Sequence, residues 1–228
     1  MITNRQLILP YAAPYLAYVG IAALLADHLS PEANYLLRLV VVSALLCWAW
    51  RWYCPLTGPR SAWGSVLVGA GAGLVGLILW VALLCPFVEP GAAPAWSARA
   101  FALRLLSAGL LVPVFEELMM RGYLFRLAWQ WDQARSNHQK DPLHLALDHR
   151  SINTVAPGSW SWAAVGLSTL AFASGHALAE WPASIAYGLL MAWLWIRRQD
   201  LLTCIVAHAV TNIGLAGYVV ASGQWQYW

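Results

Sequence analysis

Residues 115–122 read Phe-Glu-Glu-Leu-Met-Met-Arg-Gly, two carboxylates and a guanidinium inside a largely apolar run from Phe101 to Trp131. A charged group at bilayer depth costs about 2.5–3.5 kcal/mol on insertion scales, so it faces a partner or a cavity. On a helix Glu117 and Arg121 lie four residues apart and share a face, with the glutamate on the favourable N-terminal side. Glu116 is turned about 100° from Glu117. Arg121 can therefore neutralise Glu117 and leave Glu116 aimed elsewhere. Taken alone, the octapeptide fits a structural ion pair with a protonated spare equally well. The rest of the chain has to decide.

Composition sets the class. The chain is 61% hydrophobic and only 10% charged, with a mean hydropathy of +0.59, whereas a soluble domain is about 45–50% apolar and about 25% charged. Long apolar runs recur at residues 7–27, 35–53, 63–85, 97–131, 160–177, 183–197 and 200–221. They are too long and unbroken for the ten-residue alternating strands of a membrane barrel. The expectation is an all-α, polytopic transmembrane bundle of about seven spans, forming one membrane domain over residues 1–228. Residues 1–96 supply N-terminal spans. Residues 97–221 form a motif-bearing core that includes a polar loop, 132–159.

Several local features fill in this frame. The first run is read as an uncleaved span, not a leader, and Pro10 and Pro14 are expected to kink or shorten it. Trp48, Trp50, Trp52 and Tyr53 mark an interfacial belt. Gly69 and Gly73 form a GxxxG pair suited to close helix packing. Cys47, Cys54, Cys85 and Cys204 lack CxxC or ligand spacing and read as buried, inert thiols. His138, His144 and His149 lie in the polar loop and read as solvated. With the N-terminus inside, Arg5, Arg51, Arg60, Arg135, Lys140, Arg150, Arg197 and Arg198 all fall on the cytoplasmic side, with Arg126 at that boundary. Arg38, Arg99 and Arg104 fall at helix ends on the other side, beside Glu32, Glu89 and Glu180. That bias predicts a cytoplasmic N-terminus and an external C-terminus.

Two further polar pairs sit in the apolar runs, each with i, i+4 spacing that puts its members on one helix face: Phe172 with His176, and His208 with Asn212. A lone intramembrane histidine is usually a packing residue. Three polar pairs on three spans point instead to a buried site. At 1.5 Å per residue, Glu116 lies about 20 Å and His176 about 24 Å from their cytoplasmic helix ends, but His208 only about 12 Å. Tilt, an earlier helix start or an irregular Gly175-His176 turn is needed to bring the three level.

Glu116-Glu117-x-x-x-Arg121, Phe172-x-x-x-His176 and His208-x-x-x-Asn212, in that order, resemble the EExxxR, FxxxH and HxxxN motifs of the CAAX-protease and bacteriocin-processing (CPBP) family of intramembrane endopeptidases. The resemblance covers about residues 101–214. The tail, residues 208–228, is similar to the branch that accompanies the exosortase/PEP-CTERM sorting system of Gram-negative bacteria. The family's usual spacer between the first two motifs is shorter than 132–159. The resemblance implies hydrolysis of a peptide bond in a membrane-associated peptide or protein, in a bacterial inner membrane, with no nucleic acid partner and an oligomeric state left open. By family analogy Glu116 and His176 activate water, and His208 and Asn212 contact the oxyanion. Glu117, Arg121 and Phe172 support the site. No metal is expected. The minority alternative is a zinc ion on Glu116, His176 and His208, a His₂Glu set. Two other classes stay open: a non-catalytic membrane binding protein of the bacteriocin-immunity type, and a proton-coupled transporter.

Overall fold

The computed structural model describes residues 2–89, 91 and 93–228. Among these residues the chain forms no strand, and seven helical rods follow the predicted runs. They are α1 (Asn4–Leu24), α2 (Pro31–Ala49), α3 (Ala62–Leu84), α4 (Ala98–Ser136), α6 (Trp162–Ser174), α7 (Trp181–Arg198) and α8 (Leu201–Ser222), with a short α5 (Pro142–Asp148) in the long connection. α1, α2, α3, α4 and α8 are long and apolar enough to cross a membrane. α6 is apolar but has only 13 residues, about 20 Å against a hydrocarbon core of about 30 Å. The chain is a multi-span helical membrane protein. The predicted loop after α3 opens with a 3₁₀ turn, Cys85–Phe87; Pro90 and Ala92 in it lie outside the described residues.

Pro10 and Pro14 neither end nor shorten α1. Pro14 has no N–H to offer the Pro10 carbonyl, and the Tyr53 hydroxyl donates to that carbonyl instead, at 2.9 Å. The belt residues after α2 thus brace the proline-containing turn.

The glycine spacing in α3 serves packing against α8. A Cβ at Gly73 would stand 2.6 Å from the Ala207 carbonyl oxygen and from Val210, so only glycine allows this approach. The Thr211 hydroxyl bridges the two helices at 2.8 Å from the Gly73 oxygen. Of the four cysteines, Cys54 and Cys204 are buried as expected. Cys47, on α2, and Cys85, in the 3₁₀ turn after α3, are exposed instead.

The polar loop is more ordered than its composition suggests. α4 runs on to Ser136, and α5 and a 3₁₀ turn at Ile152–Thr154 follow. Asn4 ties this segment to the N-terminus. Its amide donates to Gln130 Oε1 (2.6 Å) and the Ala146 oxygen (2.8 Å), and its Oδ1 accepts from the Ile152 N–H. Arg5 donates to Asp148 at 2.8 Å, a hydrogen bond that holds the Asp148 carboxyl below the usual carboxylate range. His138, His144 and His149 are exposed, as predicted.

Candidate active site

Within α4, two π-helical turns, Ser107–Leu111 and Leu118–Leu124, flank the six α-helical residues Val112–Glu117. Such widened turns recur at functional sites because they re-aim side chains and loosen the backbone ladder. Pro113 supplies a local cause. In the π register its missing N–H would have bonded the Ala108 oxygen. The Asn212 amide takes that place from α8, donating to Ala108 at 2.7 Å. One amide hydrogen of Asn212 is thereby spent on the backbone, and the second remains.

Glu117 and Arg121 pair as their spacing predicts, with Nη1 to Oε2 at 3.2 Å and both side chains at 0% exposure. Arg121 also donates to the Gly188 oxygen of α7 at 3.1 Å, and its guanidinium lies over the Phe172 ring. Spacing did not reveal a third partner. Glu117 Oε1 also receives His208 Nδ1 at 3.1 Å. A carboxylate only accepts here, so Nδ1 carries the hydrogen and Nε2 is turned toward Glu116, 3.9 Å from its Oε2. Glu117 therefore links the first and third motifs.

His176 lies just past the end of α6, in the irregular turn that is one of the three remedies for the depth mismatch. Its Nδ1 is 3.0 Å from the Phe172 oxygen. The carbonyl can only accept, so Nδ1 donates and Nε2 holds a lone pair. Gly175 is required just before it: a Cβ there would stand 2.3 Å from the Tyr15 hydroxyl oxygen. α8 also starts deeper than expected. Asp200 is buried, accepting from Thr203 N–H (2.7 Å) and Ser65 Oγ (2.8 Å), and the Leu202 N–H donates to the Leu56 oxygen of the loop before α3. The α7–α8 turn is thus covered by protein.

Glu116, His176, His208 and Asn212 line one cavity of about 300 Å³, together with Tyr187 and Thr211. Phe172 stands between the histidines, its ring centroid 4.7 Å from His176 and 6.0 Å from His208. The Tyr187 hydroxyl donates to Thr211 Oγ1 at 3.2 Å. Tyr187 and Thr211 are among the cavity residues that the motifs did not mark, because neither stands out in a helix with other aromatic or hydroxyl residues. Three motifs separated by up to about a hundred residues thus meet around one space.

A family model described as Type II CAAX prenyl endopeptidase Rce1-like matches residues 98–214. The chain belongs to the Rce1-like family. Neither the curated proteins nor the solved structures gave a match. The matched span takes in α4 through most of α8 and contains all three motifs; the cavity's α1–α3 wall and its C-terminal lining residues Leu215, Tyr227 and Trp228 lie outside it. The motif resemblance is borne out for the family. The exosortase-linked branch is a narrower reading that the match does not reach.

Among the described residues no three His, Cys, Asp or Glu side chains form a group able to hold a metal ion. His208 commits Nδ1 to Glu117, and its Nε2 is 3.9 Å from Glu116. Glu116, His176 and His208 do not form a converged His₂Glu set in this Rce1-like cavity.

Proposed function

We propose that the chain is an intramembrane endopeptidase that hydrolyses a peptide bond of a membrane-associated peptide or protein. One observation carries this reading: Glu116, His176, His208 and Asn212 come from three separate helices and line the same cavity. A buried general base beside oxyanion donors is what amide hydrolysis needs. Glu116 and His176 both line that space, and in this reading they hold a water between them.

In the proposed reaction, the water oxygen attacks the scissile carbonyl carbon and its proton passes to Glu116, while His176 Nε2 accepts from the same water. The tetrahedral oxyanion takes hydrogen bonds from His208 Nε2–H and the free amide hydrogen of Asn212. With Nδ1 already donating to Glu117, His208 then carries both ring protons, and the Glu117 carboxylate and the oxyanion itself supply the counter-charge. The proton held on Glu116 moves to the departing nitrogen as the C–N bond breaks. The proposal extends to place. The Lys/Arg bias supports a cytoplasmic N-terminus and an external C-terminus in a bacterial inner membrane, and the tail's likeness supports a link to protein sorting.

The test compares membrane peptides, by mass spectrometry, from cells carrying wild-type protein or Glu116→Ala. Cleavage products should vanish in Glu116→Ala and in His176→Ala, and the pair should be no worse than either alone, because the two act as a unit. Asn212→Ala should slow product formation by about 10²–10³. Purified protein should keep its activity under exhaustive zinc chelation. Loss of activity that returns with added zinc would replace the water-activating pair with a metal. Undiminished products in Glu116→Ala would sink the enzymatic reading and favour a binding protein.

A further inference from the structure

The same cavity has a second polar region, away from the motifs. Its wall includes Arg38 from α2 and Arg104 from the first turns of α4. Both read as helix-end charges under the positive-inside rule, yet Arg38 is 7% exposed. Among the described residues Arg38 makes no ion pair, and its Nε is buried without a hydrogen-bond partner.

Both guanidiniums are held by their faces. The Arg38 carbon lies 3.8 Å from the centre of the Tyr35 ring and 4.8 Å from that of Tyr18. Arg104 lies 4.8 Å from the Trp96 ring centre and 4.8 Å from that of Trp228. Tyr35 and Trp96 are in turn 5.9 Å apart. Cations and aromatic rings therefore alternate along one wall. Stacking engages the flat faces of a guanidinium and leaves its N–H edge, five donors in a fixed fork, unspent. Besides Glu116, Glu180 is the other carboxylate on the wall, and it accepts from the Ala177 N–H at 3.0 Å instead of closing on either arginine.

A buried cation without a counter-ion is costly, and the planar fork matches a carboxylate in bidentate fashion. We propose that Arg38 and Arg104 form an anion-binding subsite that holds a carboxylate of the peptide substrate. This proposal rests on the peptidase reading and gives it a substrate class: peptides whose C-terminus or acidic side chain enters the far end of the cavity while the scissile bond lies by Glu116. The aromatic ladder holds the forks in place before substrate arrives, which lowers the ordering cost of binding.

The experiment reads binding, with turnover removed. Full-length Glu116→Gln protein in detergent micelles is equilibrated with N-acetylated random hexapeptides. The peptides are made as free acids or C-terminal amides, each with or without Asp and Glu at the random positions. Retained peptides are quantified by mass spectrometry. Carboxylate-bearing peptides should be retained at least about tenfold over neutral amides, the scale of a charged hydrogen bond. Arg38→Gln and Arg104→Gln should each erase that preference, and Arg38→Lys should keep only part of it, since an ammonium lacks the fork. Arg104, the less buried of the two, keeps the test decisive if Arg38→Gln fails to fold. The free-acid and acidic-residue arms identify which carboxylate is bound. Equal retention of acidic and neutral peptides, retention of neither, or a preference that survives both substitutions overturns the subsite. So does an anionic lipid that co-purifies in an Arg38-dependent way in place of peptide. Arg-dependent binding in a chain whose wild type cleaves nothing would instead refute the peptidase reading and leave the subsite standing. Cleavage without carboxylate preference would do the reverse.

Discussion

Removing either member of the Glu117–Arg121 pair tests the centre of the site most directly. Both side chains are fully buried, and among the described residues the guanidinium's polar partners are Glu117 and the Gly188 oxygen. Arg121→Met leaves a buried carboxylate facing only His208. Glu117→Gln leaves a buried guanidinium with one carbonyl and a neutral amide. Breaking a buried pair by removing one partner costs about 3–5 kcal/mol. For a chain of this size about 2–4 °C of Tm accompanies each kcal/mol, so each single change should lower Tm by about 6–20 °C. The double variant removes both charges together and should recover part of the summed loss, a coupling on the order of 2–3 kcal/mol. Glu117→Gln has a further use. Its amide oxygen can still accept from His208 Nδ1, so ring orientation is kept while the charge is lost. Activity in this variant therefore separates the electrostatic role of Glu117 from its positioning role. The assay is thermal unfolding of detergent-solubilised protein followed by intrinsic tryptophan fluorescence, with turnover measured on the same samples. Single variants within a degree or two of wild type, or a double variant whose loss is the plain sum, would refute a buried coupled pair.

Two further outcomes are expected. Gly73→Val should destabilise the protein by at least about 3 kcal/mol, since overpacking of this kind costs 1–3 kcal/mol or more and the nearest obstacle is the Ala207 backbone; Gly71→Val, whose Cβ meets nothing within 4 Å, should be neutral, and similar unfolding temperatures for the two would contradict the α3–α8 contact. With the exposed Cys47 and Cys85 replaced by alanine, a cysteine at the exposed Ser136 should resist a membrane-impermeant thiol reagent in intact cells and react after permeabilisation; ready labelling of intact cells would reverse the proposed orientation.

Much of the fold was legible because hydrocarbon is an unforgiving solvent. Backbone groups in lipid must be satisfied within the segment, so seven long apolar runs read as helices without reference to partners. Gly69 and Gly73 announced a close helix contact by spacing alone, and Glu117 and Arg121 announced their pairing because i, i+4 neighbours meet whatever surrounds them. The disagreements fall where local rules give out. Pro10 and Pro14 forecast a kinked or shortened helix; α1 is not shortened, and Tyr53, distant in sequence, donates to the Pro10 carbonyl that Pro14 leaves free. The hydrophilic 132–159 stretch reads as loop, yet Asn4 pins it through three hydrogen bonds.

For the site, the sequence by itself determined which polar groups lie within apolar runs and, within each motif, which of them share a helix face. Burial follows from hydropathy and face from helical period, and both are local. Only the tertiary structure decided which motif touches which. His208 leans on Glu117 across two helices, Asn212 replaces the hydrogen bond that Pro113 cannot make, and Arg38 and Arg104 reach the cavity instead of the helix ends. These contacts depend on helix rotation, on two π-helical turns, on the covered start of α8 and on a gap left at Gly175. Such features are set by packing between segments far apart in the chain. Helical periodicity carries no record of azimuth relative to a neighbour, so the inventory of the site was written in the sequence and its wiring was not.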